Sequence, residues 1–247
     1  MSRQSGVGLP EVLISLFLTA FILTTLTQFY LNNKRQYLEV QKQLEEHLDV
    51  QWVRELLSDS IRRAGFTPCL GITQLKAMDR RNFKSTIAAI KIATSPQSLI
   101  QINRMSEQFT KIITVQSPTQ LRVANGDLFK ESHPVLIADC EHAEIHQILR
   151  VDKRGNDHCI TLTKPLIFSY AASTYIGEWF EEQWFIKPNA KKVNALYYKL
   201  FQVEELTSLT HSLQINQQQI QEKQLVEIVM GLANHKTEKL VVAVRGS

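Results

Sequence analysis

Apolar residues crowd one end of this chain. From Val12 to Asn33 no residue is charged, and most positions are Leu, Ile, Val, Phe, Ala or Thr. Roughly 20 such residues in a helix span the hydrocarbon core of a bilayer. No Gly or Pro interrupts the run, Arg3 lies before it, and Lys34 and Arg35 follow it. A core helix of a soluble protein would alternate apolar and polar faces, and this run does not. A secretory signal peptide would carry about 7–15 apolar residues and then a small-x-small cleavage site. This run is longer, and "QFYLNNKRQY" after it offers no such site. The pattern predicts a membrane segment that stays with the mature protein.

Past Lys34 the apolar positions thin to a stripe. Leu38, Leu44, Leu48, Trp52, Leu56 and Ile61 recur at roughly helical spacing with charges between them, and neither Pro nor Gly occurs until Gly65. Anchor and stripe read as one helix of about 55 residues, roughly 80 Å long at 1.5 Å per residue. The first half, apolar all round, suits a membrane. The stripe suits a domain packed along one side.

From Thr67 onward the texture is that of strands. "STIAAIKIAT", "SLIQINR", "KIITVQS", "TQLRVAN", "PVLIAD", "AEIHQILRV", "HCITLT", "EEQWFIK", "ALYYKLFQV" and "KLVVAVRG" are short, rich in β-branched and aromatic residues, and split by turn residues. "NGD" at 125–127 and "RGND" at 154–157 are turn signals. The polar, low-complexity "QINQQQIQEKQ", 214–224, reads as an exposed loop or short helix. The fold class expected is α+β: a long N-terminal helix, half transmembrane and half amphipathic, packed on a mainly antiparallel β head.

Composition adds limits. With 247 residues the chain is long enough for one anchor and one well-packed domain. A net charge of +4 with no basic block or aromatic-basic stripe gives no footprint for direct nucleic-acid binding. Cys69, Cys140 and Cys159 form no CxxC pair. In an oxidising compartment two of them can join and one is left over.

Few constellations carry chemistry. Cys140, His142, His146, His158 and Cys159 are irregularly spaced for a tetrahedral zinc site, and no metal or other cofactor is expected. His142 and His146 share a strand face with Glu144, read as solvated. No G-x-S-x-G elbow, P-loop or H-E-x-x-H is present, so no catalytic residue is assigned and no enzyme is expected. Trp179, Phe180, Trp184 and Phe185 are either core residues or an exposed adhesive patch.

One residue resists the bland reading. Glu11 is a carboxylate at the mouth of the membrane segment, where a charge costs about 2.5–3.5 kcal/mol if it lies deep in hydrocarbon. At headgroup level it would merely favour the positive end of the helix. Its neighbours point further. Gly6 closes a short polar leader, "MSRQSG", five residues before it. This resembles the class III signal of type IV prepilins, in which a peptidase cuts after the glycine. The resemblance implies cleavage between Gly6 and Val7, a new amine on Val7, which the family methylates, and a charge pair between that amine and Glu11 of a neighbouring subunit. Val7 stands where the family usually has phenylalanine, and Gly8 and Pro10 replace commoner residues.

A second resemblance covers nearly the whole chain. "LLSDSIRRAGFTPC" and "PVLIADCEHAEIHQI" are similar to the cysteine contexts of the PilW-type minor pilins, and "WFEEQWFIKPN", "ALYYKL" and "QLVEIVMGL" fall in that family's order. It implies a disulfide between Cys69 and Cys140, leaving Cys159 reduced; Cys140–Cys159 is the competing pair. It divides the chain into a leader (1–6), a transmembrane helix (7–33), its amphipathic periplasmic continuation (34–66) and a head (67–247). The implied function is assembly: a minor pilin that primes or caps a type IV pilus, for motility, adhesion or DNA uptake. Implied partners are the prepilin peptidase, other minor pilins, the major pilin, the inner membrane and its assembly platform. Implied location is the inner membrane with a periplasmic head, then the pilus. Two other readings stand beside it: a J-type minor pseudopilin of a type II secretion system, and a single-pass membrane protein with a periplasmic binding or enzymatic head.

Overall fold

The computed structural model describes residues 8–82, 87–94, 98–155, 157–170, 173–220, 223–233 and 236–244. Gly6 and Val7 lie outside the described residues.

Helix α1 runs Leu9–Arg62, 54 residues without a break. Pro10 sits in its first turn, where the backbone N–H groups have no intrahelical partner anyway. The chain divides into two compact units, Met1–Asp49 and Val50–Ser247. In the first, every apolar side chain of the helix is exposed, from Leu9 through Leu48. In the second, Val53, Leu57 and Ile61 are fully buried. Of the expected stripe, Ile61 is buried in the second unit and Leu56 packs against its core, while Trp52 is about half exposed.

Gly65 ends the helical path with φ +71, a left-handed conformation that glycine adopts without strain. Its N–H donates to Asn103 O at 2.7 Å and its carbonyl accepts from Ile72 N at 2.8 Å. A single 3₁₀ turn, Ile72–Gln74, follows.

Among its described residues the head has thirteen strands. They are β1 (Lys76–Asp79), β2 (Ile90–Ala93), β3 (Leu99–Ser117), β4 (Gln120–Val123), β5 (Pro134–Ala138), β6 (His142–Arg154) and β7 (Asp157–Leu162). Then come β8 (Tyr175–Pro188), β9 (Asn194–Lys199), β10 (Val203–Thr207), β11 (Thr210–Ile220), β12 (Lys223–Leu232) and β13 (Thr237–Ala243). Ten strands form one sheet in the order β10-β9-β8-β5-β6-β7-β4-β3-β2, with β1 parallel to β6 and all other pairs antiparallel. Strand β3 also pairs with β8, so β3, β8, β5, β6, β7 and β4 close on themselves as a barrel. Strands β11, β12 and β13 form a separate antiparallel sheet.

Two apolar clusters result. Ile112, Leu121, Val123, Val135, Ile137, Ile148, Ile160, Leu162 and Ile176 draw on every barrel strand and meet in one core. Neighbouring positions on the same strands face the other way. Leu136, Ala138, Ala143 and Ile145 join Val53, Leu57 and Ile61 of α1 and Leu213, Val226 and Ile228 of the small sheet in the second core. Strand β3 contributes Ile100, Ile102 and Met105 to the second core and Ile112 to the first, and its register with β8 shifts between Met105 and Phe109.

Two strand-level expectations change. The glutamine-rich 214–224 segment is not a loop or short helix: its described part forms most of β11 and the start of β12, paired through Ile220 with Lys223. Backbone pairing with an apolar neighbour overrides the low strand propensity of Gln and Asn. Of the four aromatics weighed as a patch, Trp179 and Trp184 are buried, while Phe180 and Phe185 are half-buried.

Candidate functional site

The first feature is the helix start. Pro10 and Glu11 open α1, and Glu11 reaches back so that its Oε2 accepts from Gly8 N at 3.0 Å. This contact satisfies one of the orphan donors of a helix N-terminus. With Val7 outside the described residues, the expected Val7–Glu11 pair is not described. The helix that follows is long and apolar enough to cross a membrane, with a mean hydropathy of 2.0 over its most apolar stretch and none of that stretch buried. Hydroxyls of Thr19, Thr24, Thr25 and Thr27 bond to carbonyls one turn earlier, so these polar groups are satisfied within the helix.

The second feature is a covalent clasp. Cys69 and Cys140 form a disulfide, which joins the segment after α1 to the β5–β6 turn. Asp139 braces that turn: its Oδ1 accepts from Glu141 N at 2.8 Å and His142 N at 2.6 Å. Cys159 is free and buried in β7, opposite Asp152 and Arg122 in register, with Sγ 3.8 Å from Gln116 Oε1.

The third feature is a polar centre on the barrel side of β6, and it corrects the solvated-face reading. The side chains of Glu144 and His146 are both fully buried. Register places them opposite Ile137 and Val135, on the face that fills the barrel. Glu144 Oε1 accepts from Ile167 N (3.0 Å), Phe168 N (2.9 Å) and Tyr170 Oη (3.2 Å). Its Oε2 faces His146 Nε2 at 2.9 Å and Arg80 Nε at 4.0 Å. Burial pushes the Glu144 carboxyl up, but the His146 bond and the Phe168 and Ile167 amides outweigh it and hold the group below its ordinary value. Tyr170 is pushed up by burial and by the Glu144 charge beside it, so it stays a donor.

Alternation on β6 could have exposed this centre, since His142, Glu144, His146 and Ile148 share a parity and Ile148 is apolar. Arg80, Tyr170 and the two amides gave no sequence signal, because they arrive from distant segments. Chemically the centre is a clamp. Each Glu144 oxygen already accepts from more than one donor, so the carboxylate fastens the 167–170 segment across the barrel. Among the described residues no group of three His, Cys, Asp or Glu side chains is placed to hold a metal ion.

Fold and site define a class: one N-terminal helix able to cross a membrane, followed by a disulfide-clasped, mainly antiparallel β head. No family model, no curated protein and no solved structure matches the chain.

Proposed function

We propose that this chain is a minor pilin of the PilW type. After removal of the 1–6 leader, it joins other minor pilins and the major pilin to start or cap a type IV pilus. One observation carries the reading: a continuous 54-residue helix whose apolar first part is wholly exposed and begins beside a carboxylate one turn from the proposed cut. In a permanently anchored protein the acid would serve only as a helix-terminus contact to Gly8 N. A subunit that moves from lipid into a helical bundle does, because an amine from a neighbour can neutralise it. The paired cysteine contexts favour the pilus over the secretion pseudopilin, and on this reading the head works by docking and display, with no turnover.

Two measurements test it. Intact-mass analysis after co-expression with a prepilin peptidase should show loss of residues 1–6, blocked by Gly6→Val. Deletion of the gene should abolish or sharply reduce surface pili, with partial recovery when retraction is also blocked. A mature protein that keeps Met1, or a deletion strain with wild-type pili, would overturn the proposal.

A further inference from the structure

Strand β13 closes one side of the small sheet, and no described strand pairs with its outer edge. Hydrogen-bond phase shows which groups face outward. Val244 N donates to Gln224 O at 2.9 Å, and Leu232 N donates to Lys236 O at 2.8 Å. Between these points the register runs unbroken from Leu225–Ala243 to Gly231–Thr237. Even-numbered residues of β13 therefore bond to β12, and the backbone N–H and C=O groups of Thr237, Lys239, Val241 and Ala243 point away from it. Leu240 and Val242 are buried beneath the sheet, while Val241 is 55% exposed on the opposite face.

Other edges are shielded. β10 is short, carries Glu204 and Glu205, and has a register break after Glu205. β2 has four residues. β11 lies near β9, where Asn194 Nδ2 meets His211 O at 3.5 Å, and further along it walls a cleft of about 400 Å³ with Ala88–Ile90. Shortness, charge, bulges and cover are how sheets avoid stray pairing. β13 has seven residues, no Pro and no bulge, and its two charges, Glu238 and Lys239, are of opposite sign, with Lys239 already paired to Glu227 of β12.

We propose that this edge is a self-association surface, pairing antiparallel with β13 of a second copy about a two-fold axis at Val241. Outward-facing groups can meet only outward-facing groups, so odd residues must oppose odd residues. A register centred on Lys239 sets lysine against lysine, and one centred on Leu240 sets each Lys239 against Val241, so that the exposed valines do not meet. Centred on Val241, valine opposes valine, each Lys239 meets Ala243, and no like charges are opposed. Leu225 already lies beside Ala243 on the outer face, so the joint continues an apolar surface.

Cysteine replacement in the full chain, in its membrane, tests the surface independently of the pilin reading, because the readout is a covalent dimer and not pili. In the proposed register two Val241 residues form a hydrogen-bonded pair with Cα atoms about 5.5 Å apart, within disulfide reach. Two Lys239 residues lie about 14 Å apart along the strand direction and cannot join. Val241→Cys should give at least tenfold more dimer on a non-reducing gel than the unsubstituted chain, and Lys239→Cys should stay at the unsubstituted level. Equal dimer from both variants, or none above background from Val241→Cys, would overturn the proposal.

Discussion

Glu144 and His146 stand two residues apart on β6, and their side chains meet at 2.9 Å with neither exposed to solvent. A buried carboxylate persists only where donors replace the water it has lost. Here the donors come from three places, β6 itself, the Ile167–Phe168 backbone and Tyr170, and the Arg80 guanidinium adds an opposite charge 4.0 Å away. Glu144→Ala should therefore destabilise the head by about 3–5 kcal/mol, the usual cost of breaking a buried pair. Urea unfolding of the full chain in detergent, followed by tryptophan fluorescence, measures it.

The same carboxylate sets a pH dependence. Its folded pKa lies below the ordinary 4.5, so the unfolded chain binds the proton more readily. The stabilisation is fully present above the ordinary value and is lost as pH falls through the lower folded value. Urea midpoints should hold between pH 7 and pH 5 and drop below about pH 4.5. Glu144→Gln should lower the midpoint at neutral pH and flatten this acid-side slope. An unchanged slope in that variant would show that other carboxylates control acid unfolding.

The Cys69–Cys140 bond spans 71 positions. In the chain-entropy model, closing a loop of that size stabilises by roughly 4 kcal/mol. The double variant Cys69→Ser/Cys140→Ser should lose about that much, and reduction of the unsubstituted chain should lose a similar amount. Non-reducing peptide mapping should recover the Cys69 and Cys140 peptides joined and Cys159 free.

Gly65 offers a sharper test of the helix end. At φ +71, an added Cβ would lie 2.8 Å from Ala89 Cβ and 3.1 Å from Ile72 Cγ2. Gly65→Ala combines left-handed strain with a clash against a short side chain that cannot swing away. A loss of about 1–3 kcal/mol is expected, read as a lower unfolding midpoint. Gly155, with φ +66 but open space around its Cβ position, should lose less on the same substitution.

What the sequence revealed followed distance along the chain. α1 was legible to within about four residues at its C-terminal end, Arg62 against the expected 66, because its signal is local: an unbroken apolar run, a helical stripe and the Gly65 stop. The hairpin of β6 and β7 was legible from "RGND", and Gly155 supplies its positive φ. The barrel was not, because its closure depends on β3 meeting β8 across some 70 positions. "SLIQINR" and "KIITVQS" read as two strands, yet they belong to one 19-residue strand; the register shift between Met105 and Phe109 carries no Gly or Pro to announce its form. Glu144 was misplaced for the same reason, since a lone acid between two histidines looks solvated until Arg80 and Tyr170 fold against it.

Glu11 is where the functional reading stands most exposed. In the single chain its carboxylate is occupied locally, accepting from Gly8 N at 3.0 Å. That contact costs little to break, because a helix-terminus amide of this kind contributes about 1 kcal/mol. A neighbour's amine in a low-dielectric bundle would attract the carboxylate far more strongly than an amide does. Glu11 should thus exchange partners on assembly, from its own backbone to another subunit. Glu11→Leu removes the charge and keeps the apolar character of the helix, so insertion and leader removal should proceed as before. Incorporation should fall at least tenfold, read as the amount of this chain in sheared surface pili against the amount in the membrane. Glu11→Gln, which can still accept from Gly8 N, should behave like Glu11→Leu if charge is what matters and like the unsubstituted chain if the local helix cap is. Full incorporation of both variants would reduce Glu11 to a helix-terminus contact and remove the main support for the assembly reading.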